Sequence, residues 1–491
     1  MKHDKIFLTV TGLIFAALLV LFLFFPRSTY SEVERRELSE FPEFSIERLK
    51  DGSFTADVSR WFSDTEPFRD QFMEAHHSFR RGLALNTGGE TITFHDAPGS
   101  PAASKAAGPA GMPADSPLEE TGDAAEENAR IASAGIIVTG EPGKVRALMC
   151  FGAGATGTSS FAQALNYVSS EIPGVRVYAM VIPLAIEFYC PEQVKNRTKD
   201  QAANIRNIYS QLNGNIRAVD AYSALRQHTS EPIYLRTDHH WAPLGAYYAG
   251  AQLAKTAGVP YRGLDQYDRG VTRGFVGTMY GYSQDISVKQ SPEDFVYYIP
   301  KDKSYTTWFT DYIVDRSFHV TGQRPTVKGR FFTPHKDGSG AAYTTMLGSD
   351  MRTARVETGM PGNRKVLIIK DSYGNALPGF LFGSFSEVHV IDFRYFPHSL
   401  RKYIADNGIT DLVYCVNVYN ANSSGVSQKL RRMVGGAGYS SPKAETPDHT
   451  EKPSEKGSDR KPENPHPAEE KHPAESTPVQ PEPAPAPSEP S

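Results

Sequence analysis

Asp238, His239, His240 and Trp241 follow one another, so one carboxylate, two imidazoles and an indole occupy four consecutive positions. A carboxylate two residues before an imidazole can orient the ring and stabilise its protonated form, which is what a general base requires. Pro243 opens a helical window over 242–257, so the segment is expected at a helix entrance, where a side chain can be presented to a cleft. Two plainer readings stand beside this one. The first is a buried hydrogen-bond cluster; the second is a metal site, for which Asp238, His239 and His240 would need further ligands from elsewhere.

A second segment runs Lys365-Val-Leu-Ile-Ile-Lys370 into Asp371-Ser372-Tyr373-Gly374-Asn375. The continuous apolar run predicts a buried strand, and a serine at the carboxyl end of a parallel strand lies where open α/β sheets place their sites. A following helix would aim backbone N–H groups at that point, where they can stabilise an oxyanion. Alone, such a serine reads equally well as a helix N-cap. Together with Asp238 and His240 it becomes a candidate Ser-His-Asp triad, since triads are defined by geometry and not by sequence order. Asn417, at the end of the run 412–418, is a candidate second oxyanion donor or a turn former. The aromatic stretch Gly274–Tyr282 reads as packed loop, with a sugar-stacking groove as the alternative.

The elements that must position these residues are legible in outline. From about 131 to 440 short Val/Ile/Leu runs alternate with amphipathic helical windows, which predicts an α/β domain. Runs without strict alternation suggest strands buried on both faces, hence a largely parallel sheet covered by helices. Residues 262–360 break that rhythm and are expected to form loops and a small strand-rich insertion. Before the domain, 31–93 is a helical region in which Trp61, Phe62, Phe68, Phe72 and Phe79 recur at helical spacing. The stretch 94–130, rich in Ala, Pro and Gly, reads as a flexible insertion.

The chain has 491 residues, 39% of them hydrophobic and 22% charged, with a net charge of −4. Residues 441–491 hold 13 of the 35 prolines, 11 acids and six Lys/Arg, so the acidity belongs to a disordered tail and the body is close to neutral. A neutral body argues against nucleic acid as a partner, because phosphate neutralisation needs a basic face. Three cysteines, Cys150, Cys190 and Cys415, exclude a disulfide framework and a zinc finger, and the two in apolar runs, Cys150 and Cys415, are expected to be small buried thiols. No cofactor is called for. At the other end, Ile6–Phe25 is an uncharged run of 20 residues after Lys2 and Lys5. That length spans a hydrocarbon core, and the flanking charge keeps the N-terminus cytoplasmic, so residues 1–30 read as a signal anchor with the main domain outside the membrane. No small-residue cleavage site follows it.

Arg236–Trp241 with Gly245-Ala-Tyr-Tyr248, and Lys370–Asn375, resemble the motifs of the DHHW family of bacterial envelope proteins. Glu32–Leu38, Asp51–Phe54, Pro67–Asp70 and Val181–Pro183 add to the likeness. That family is similar to SGNH-hydrolase-like O-acetyltransferases of alginate and other exopolysaccharides. The resemblance implies a three-layer SGNH-like α/β domain and a triad on Asp238, His240 and Ser372. Ser372 would be the acetylated nucleophile, His240 the base and then the acid, and Asp238 the group orienting it. His239, Tyr373, Asn375 and Asn417 would be oxyanion or substrate contacts. The resemblance also implies an envelope polysaccharide as substrate, and a membrane-bound O-acyltransferase partner to pass acyl groups across the bilayer. The pattern departs from that of ordinary SGNH enzymes in two places: Lys370 stands where they carry Gly before Asp-Ser, and the Asp-His spacing is shorter. A non-catalytic glycan-binding or scaffolding role is the competing expectation.

Overall fold

The computed structural model describes residues 135–436 except 153, 154, 316 and 317, together with 91–95 and parts of 10–72. Most of Ile6–Phe25, residues 96–134 and the tail from 437 onward lie outside the described residues. Among the described residues no helix is long and apolar enough to cross a membrane. In the N-terminal region, helix α1 (Ser53–Asp64) carries Phe54 and Trp61 against Phe41, with ring centroids 6.3 and 4.8 Å apart.

Strands β1 (Thr91–His95), β2 (Ile136–Gly140) and β3 (Arg146–Met149) form an antiparallel sheet. The expected insertion therefore begins two residues too early. Phe94 and His95 are strand residues, fixed by the guanidinium of Arg197 over the Phe94 ring and by Asp285 at 2.8 Å from His95.

The main sheet takes shape from β4 (Arg176–Ile182) and β5 (Ile216–Ala218). A hairpin of β6 (Tyr267–Phe275) and β7 (Glu293–Pro300) stands apart from it. The chain then adds β8 (Thr306–Val314), β9 (Val320–Gln323), β10 (Val327–Gly329), β11 (Arg352–Glu357), β12 (Lys365–Lys370), β13 (Glu387–Asp392) and β14 (Asp411–Asn417). Across its nine strands the order is β9-β8-β11-β13-β12-β14-β4-β5, with β10 beside β8.

Pairings among β13, β12, β14, β4 and β5 are parallel, whereas β11, β8, β9 and β10 join antiparallel. The sheet is thus mixed, not largely parallel. The two halves differ as their sequences do. Every residue of β14 is buried, as expected for a strand covered on both faces. Strand β8 alternates buried and half-exposed positions, the pattern of an antiparallel strand with one wet face. The insertion-like region 262–360 supplies this antiparallel extension.

Helices α2 (Ala155–Glu171), α3 (Gln201–Ser210), α4 (Ala221–Arg226), α5 (Pro243–Ala257), α6 (Leu400–Asn407) and α7 (Ser424–Met433) cover the parallel half. Helix α2 packs with α3 and α7, and α5 packs with α4. Side-chain caps start four of them: Asp200, Asp220, Ser399 and Ser423 each accept from the N–H three residues on. Cys150 and Cys415 are buried free thiols, as their apolar surroundings predict.

Candidate active site

The Asp-His-His-Trp segment is a tight loop whose ends pair. Tyr234 and Trp241 form an antiparallel bridge, and the Ala242 N–H donates to the Ile233 carbonyl at 2.9 Å. Pro243, at the first position of α5, then turns the chain into the helix without wasting a donor. Distant elements hold the loop. Glu293 accepts from the N–H groups of Arg236 and Thr237 and from the Thr237 hydroxyl, at 2.6–2.9 Å. The Trp241 indole N–H donates to the Tyr373 carbonyl at 2.7 Å, tying the loop to the serine turn.

Ser372 sits on a 3-10 turn, Ser372–Ala376, directly after β12. Asp371, fully buried, caps that turn by accepting from the Tyr373 N–H at 3.0 Å. Its other oxygen accepts from the Asn417 N–H and the Asn420 amide, both at 2.8 Å. Asp371 therefore clamps the ends of β12 and β14 together, and the serine is pinned at the carboxyl edge of the parallel strands, as sequence reasoning expects.

The two segments meet. His240 Nε2 lies 2.8 Å from Ser372 Oγ, and His240 Nδ1 lies 2.6 Å from Asp238 Oδ1. With Nδ1–H given to the carboxylate, Nε2 is the acceptor facing the hydroxyl; this tautomer is assigned from the hydrogen-bond network. The imidazole stacks on Tyr343, ring centroids 4.0 Å apart and 9° from parallel. Tyr343 also donates to the carbonyls of Ser372 and Tyr373 at 3.2 and 3.0 Å, so one side chain holds both base and nucleophile. All three groups are shielded: Asp238 is 3%, His240 6% and Ser372 8% exposed.

Asp238 is set from the opposite side by Thr278, whose N–H and hydroxyl donate to Oδ2 at 2.9 and 3.0 Å. Burial would raise the carboxyl's pKa. The His240 imidazole, its hydrogen bond, His239 and the Thr278 N–H outweigh burial and hold Asp238 well below the usual carboxylate range. Gly277 makes the approach possible, since a Cβ there would overlap the Asp238 side chain and backbone. Gly277→Ala is expected to shift the carboxylate by a few tenths of an ångström or more and lower the reactivity of Ser372 toward an acylating probe about 100-fold. Circular dichroism should show the fold retained; undiminished reactivity of Ser372 would remove Thr278 and Gly277 from the positioning of Asp238.

The other expected contacts divide. His239 Nδ1 lies 2.7 Å from Thr278 Oγ1. That hydroxyl has one proton and gives it to Asp238, so it accepts from His239 Nδ1–H. Burial, then the neighbouring His240, push the His239 pKa down to about 3, so the ring is neutral and its Nε2 is an acceptor, suited to a substrate hydroxyl and not to an oxyanion. Tyr373 is a correction: its phenol is fully buried and donates to the His239 carbonyl, which leaves it structural. Asn417 accepts from the Asn420 N–H at 3.0 Å through its side-chain oxygen, a turn-forming role. Asn375, one 3-10 turn beyond Ser372, donates to Asp350 at 2.7 Å, and its own carbonyl oxygen is buried without a partner among the described residues.

Behind the serine turn lies an ionic network absent from the sequence reading. Lys370, fully buried, donates to Asp350 and to Asp392, both at 2.7 Å. Arg394 closes the network on Asp392 at 2.8 and 2.9 Å and on Asp350 at 3.1 Å. Burial opposes the charge on Lys370, but the two carboxylates raise its pKa.

One donor atom each from Asp238, His239 and His240 lies within 4.8 Å of the others, the spread a metal could use. Yet Asp238 and His240 face each other at 2.6 Å, the spacing of a shared proton, while two ligands of one zinc ion stand about 3 Å or more apart.

The fold and the site thus define an α/β domain with a serine at the carboxyl end of a parallel strand, hydrogen-bonded to a carboxylate-oriented histidine. The chain belongs to the DHHW family: the family described as DHHW protein matches residues 34–86 and 159–391. A crystal structure of a DHHW family protein from Eubacterium siraeum is 33% identical with a TM-score of 0.56, covering 62% of this chain and 97% of its own. Bacillus cereus PatB1 bearing a sulfonyl adduct is 18% identical, TM-score 0.47, over 58% of this chain and 95% of that one. The O-acetyltransferase domain of Pseudomonas putida AlgJ is 12% identical, TM-score 0.33, over 60% and 98%. No curated protein matches the chain.

Proposed function

We propose that this protein is a serine-dependent O-acetyltransferase or acetylesterase acting outside the cytoplasmic membrane on an envelope polysaccharide. The observation that carries this is the unbroken hydrogen-bonded line Asp238–His240–Ser372 in a largely dry site. Ser372 Oγ attacks an ester carbonyl as His240 Nε2 takes the hydroxyl proton. Asp238 holds the resulting imidazolium, and the Ser372 N–H, which heads its turn with no intrahelical carbonyl to bond, is the proposed oxyanion donor. Collapse returns the proton to the leaving alcohol and leaves the acyl group on Ser372. A sugar hydroxyl then attacks with His240 as base, giving transfer; water in its place gives hydrolysis. His239 Nε2 accepts from a neighbouring hydroxyl of the incoming sugar, the attacking one giving its proton to His240.

The acetyl group and the polymer rest on the motif resemblance of Arg236–Trp241 and Lys370–Asn375. Anchoring rests on Ile6–Phe25, and a membrane-bound acyltransferase partner rests on the motif resemblance alone. The test is covalent trapping. Phenylmethanesulfonyl fluoride added to the full chain in membranes is expected to sulfonylate Ser372 alone, read by peptide mass, with fluoride lost. A chain starting at residue 31 should carry the same adduct in the soluble fraction. An unmodified Ser372 in folded protein would overturn the mechanism, and a soluble full-length chain would overturn the anchoring.

A further inference from the structure

The proton relay uses one of the two adjacent imidazoles. The other, His239, is stacked on His240 with ring centroids 3.7 Å apart and planes 38° from parallel. Both rings present Nδ1 to the same carboxylate oxygen: Asp238 Oδ1 is 2.6 Å from His240 Nδ1 and 3.8 Å from His239 Nδ1. In an imidazole Nε2 lies across the ring from Nδ1. Two stacked rings with their Nδ1 edges on one carboxylate therefore turn their Nε2 edges the same way, away from Asp238. For His240 that direction ends at Ser372 Oγ, 2.8 Å away. His239 Nε2 is thus set beside the nucleophile.

Among the described residues His239 Nε2 has no hydrogen-bond partner, and it is not one of the buried unpaired atoms, so it opens on solvent. His239 is 9% exposed, more than Asp238, His240 or Ser372. Its Nδ1–H goes to Thr278 Oγ1 at 2.7 Å, which leaves Nε2 as a lone-pair acceptor. Burial and the neighbouring His240 keep the ring unprotonated, so it does not compete with His240 for the proton.

In solvent such an acceptor is satisfied by water. When an incoming ring closes over the acylated serine, that water is displaced, and Nε2 is left unpaired unless the ring carries a donor. The donor has to sit on the carbon next to the attacking hydroxyl. The two imidazoles are one stacking distance apart, and neighbouring gauche substituents of a sugar ring stand about one hydrogen-bond length apart.

We infer that His239 selects the acyl acceptor: a ring alcohol whose adjacent carbon bears a gauche hydrogen-bond donor, a hydroxyl or an amide N–H. The attacking hydroxyl oxygen forms the new bond to the acyl carbon and gives its proton to His240 Nε2. The bond from the acyl carbon to Ser372 Oγ breaks, and His240 returns the proton to Ser372. The neighbouring donor keeps its own proton and bonds only His239. Water carries no such neighbour, so His239 favours transfer over hydrolysis. This selection rests on the acyl-serine mechanism proposed above.

The test uses the full chain in detergent micelles, acetylated by 4-nitrophenyl acetate, with four acceptors: cis-cyclohexane-1,2-diol, cis-2-acetamidocyclohexanol, cis-2-methoxycyclohexanol and cyclohexanol. The readout is the ratio of acetyl ester formed to acetate released, in which any change in the rate of acylation cancels. The diol or the acetamide should give a ratio at least tenfold above the methoxy and plain alcohols, the size of one hydrogen bond to a site built for it. Which of the two leads names the donor. His239→Phe keeps a ring in the stack and should lower the leading ratio about tenfold. His239→Gln restores a side-chain acceptor and should recover part of it. Equal ratios for the diol, the acetamide and the methoxy alcohol would overturn the selection. So would a His239→Phe variant that loses acetylation of Ser372 but keeps the ratio, the behaviour of a merely structural ring. Acetyl-Ser372 with equal ratios removes the selection and leaves the mechanism; an unaltered chain whose Ser372 takes up no acetyl group removes both.

Discussion

Ser372→Ala is expected to cut turnover of 4-nitrophenyl acetate by roughly 10⁶-fold, to the level that binding and the oxyanion donors alone can give. The size follows from the geometry. Ser372 Oγ is within 2.8 Å of the base, and the base is fixed both by Asp238 and by the Tyr343 ring, so nucleophile and base act as a unit. His240→Ala should therefore cost about as much, and the double variant little more than either single one. Asp238→Asn keeps the shape but offers an amide to His240 Nδ1. It favours the wrong tautomer, with an expected loss of about 10⁴-fold. The measurement is steady-state kcat on each variant, with near-UV circular dichroism to show that packing persists. Losses that multiplied in the double variant would mean that Ser372 and His240 act independently, and the triad assignment would fall.

The residues that carry this prediction were legible because their signals are local. Asp238, His239, His240 and Trp241 are adjacent, and Ser372 ends an unbroken apolar run, which marks a buried strand without any knowledge of its neighbours. What supports them was not legible. Thr278 lies 40 positions from Asp238, Glu293 56 from Thr237, and Asp371 49 from Asn420. Contacts of that separation leave no periodicity. The stretch 274–282 drew notice for its rings, but its contribution to the triad is a missing side chain at Gly277 and a hydroxyl at Thr278. Tyr373 failed as a substrate contact for a related reason: adjacency to a nucleophile says nothing about which way a ring points, and this one is buried. The antiparallel half of the sheet escaped because β8 and β11 are half-exposed and carry Thr, Arg and Asp, a composition shared with loops. Lys370, noticed only as a departure from the glycine of related motifs, proves to be the centre of a charge network.

That network sets the largest expected loss of stability. Lys370→Met keeps much of the apolar stem but removes the ammonium that bonds both Asp350 and Asp392. Asp392 is fully buried and Asp350 partly so, with Arg394 then the one cation among the described residues to serve both. Two carboxylates sharing one guanidinium leave an excess negative charge beside the strand end. Breaking a buried pair in this way costs about 3–5 kcal/mol, whereas an exposed surface pair costs under about 1 kcal/mol. Lys370→Arg should not rescue it, because the fully buried slot that Lys370 fills leaves no room for the longer, wider guanidinium beside Arg394. Exchanging the whole network for apolar residues could be neutral, so the cost belongs to the broken pairing and not to the loss of charge as such. The measurement is urea unfolding of the protein at neutral pH, with the exposed Lys144→Met as a surface control. Because Asp371 and Ser372 follow Lys370 directly, the variant should also lose turnover under conditions where it is still folded. A midpoint shift no larger than the control's, with turnover unchanged, would show that the serine turn is held by the Asp371 clamp alone.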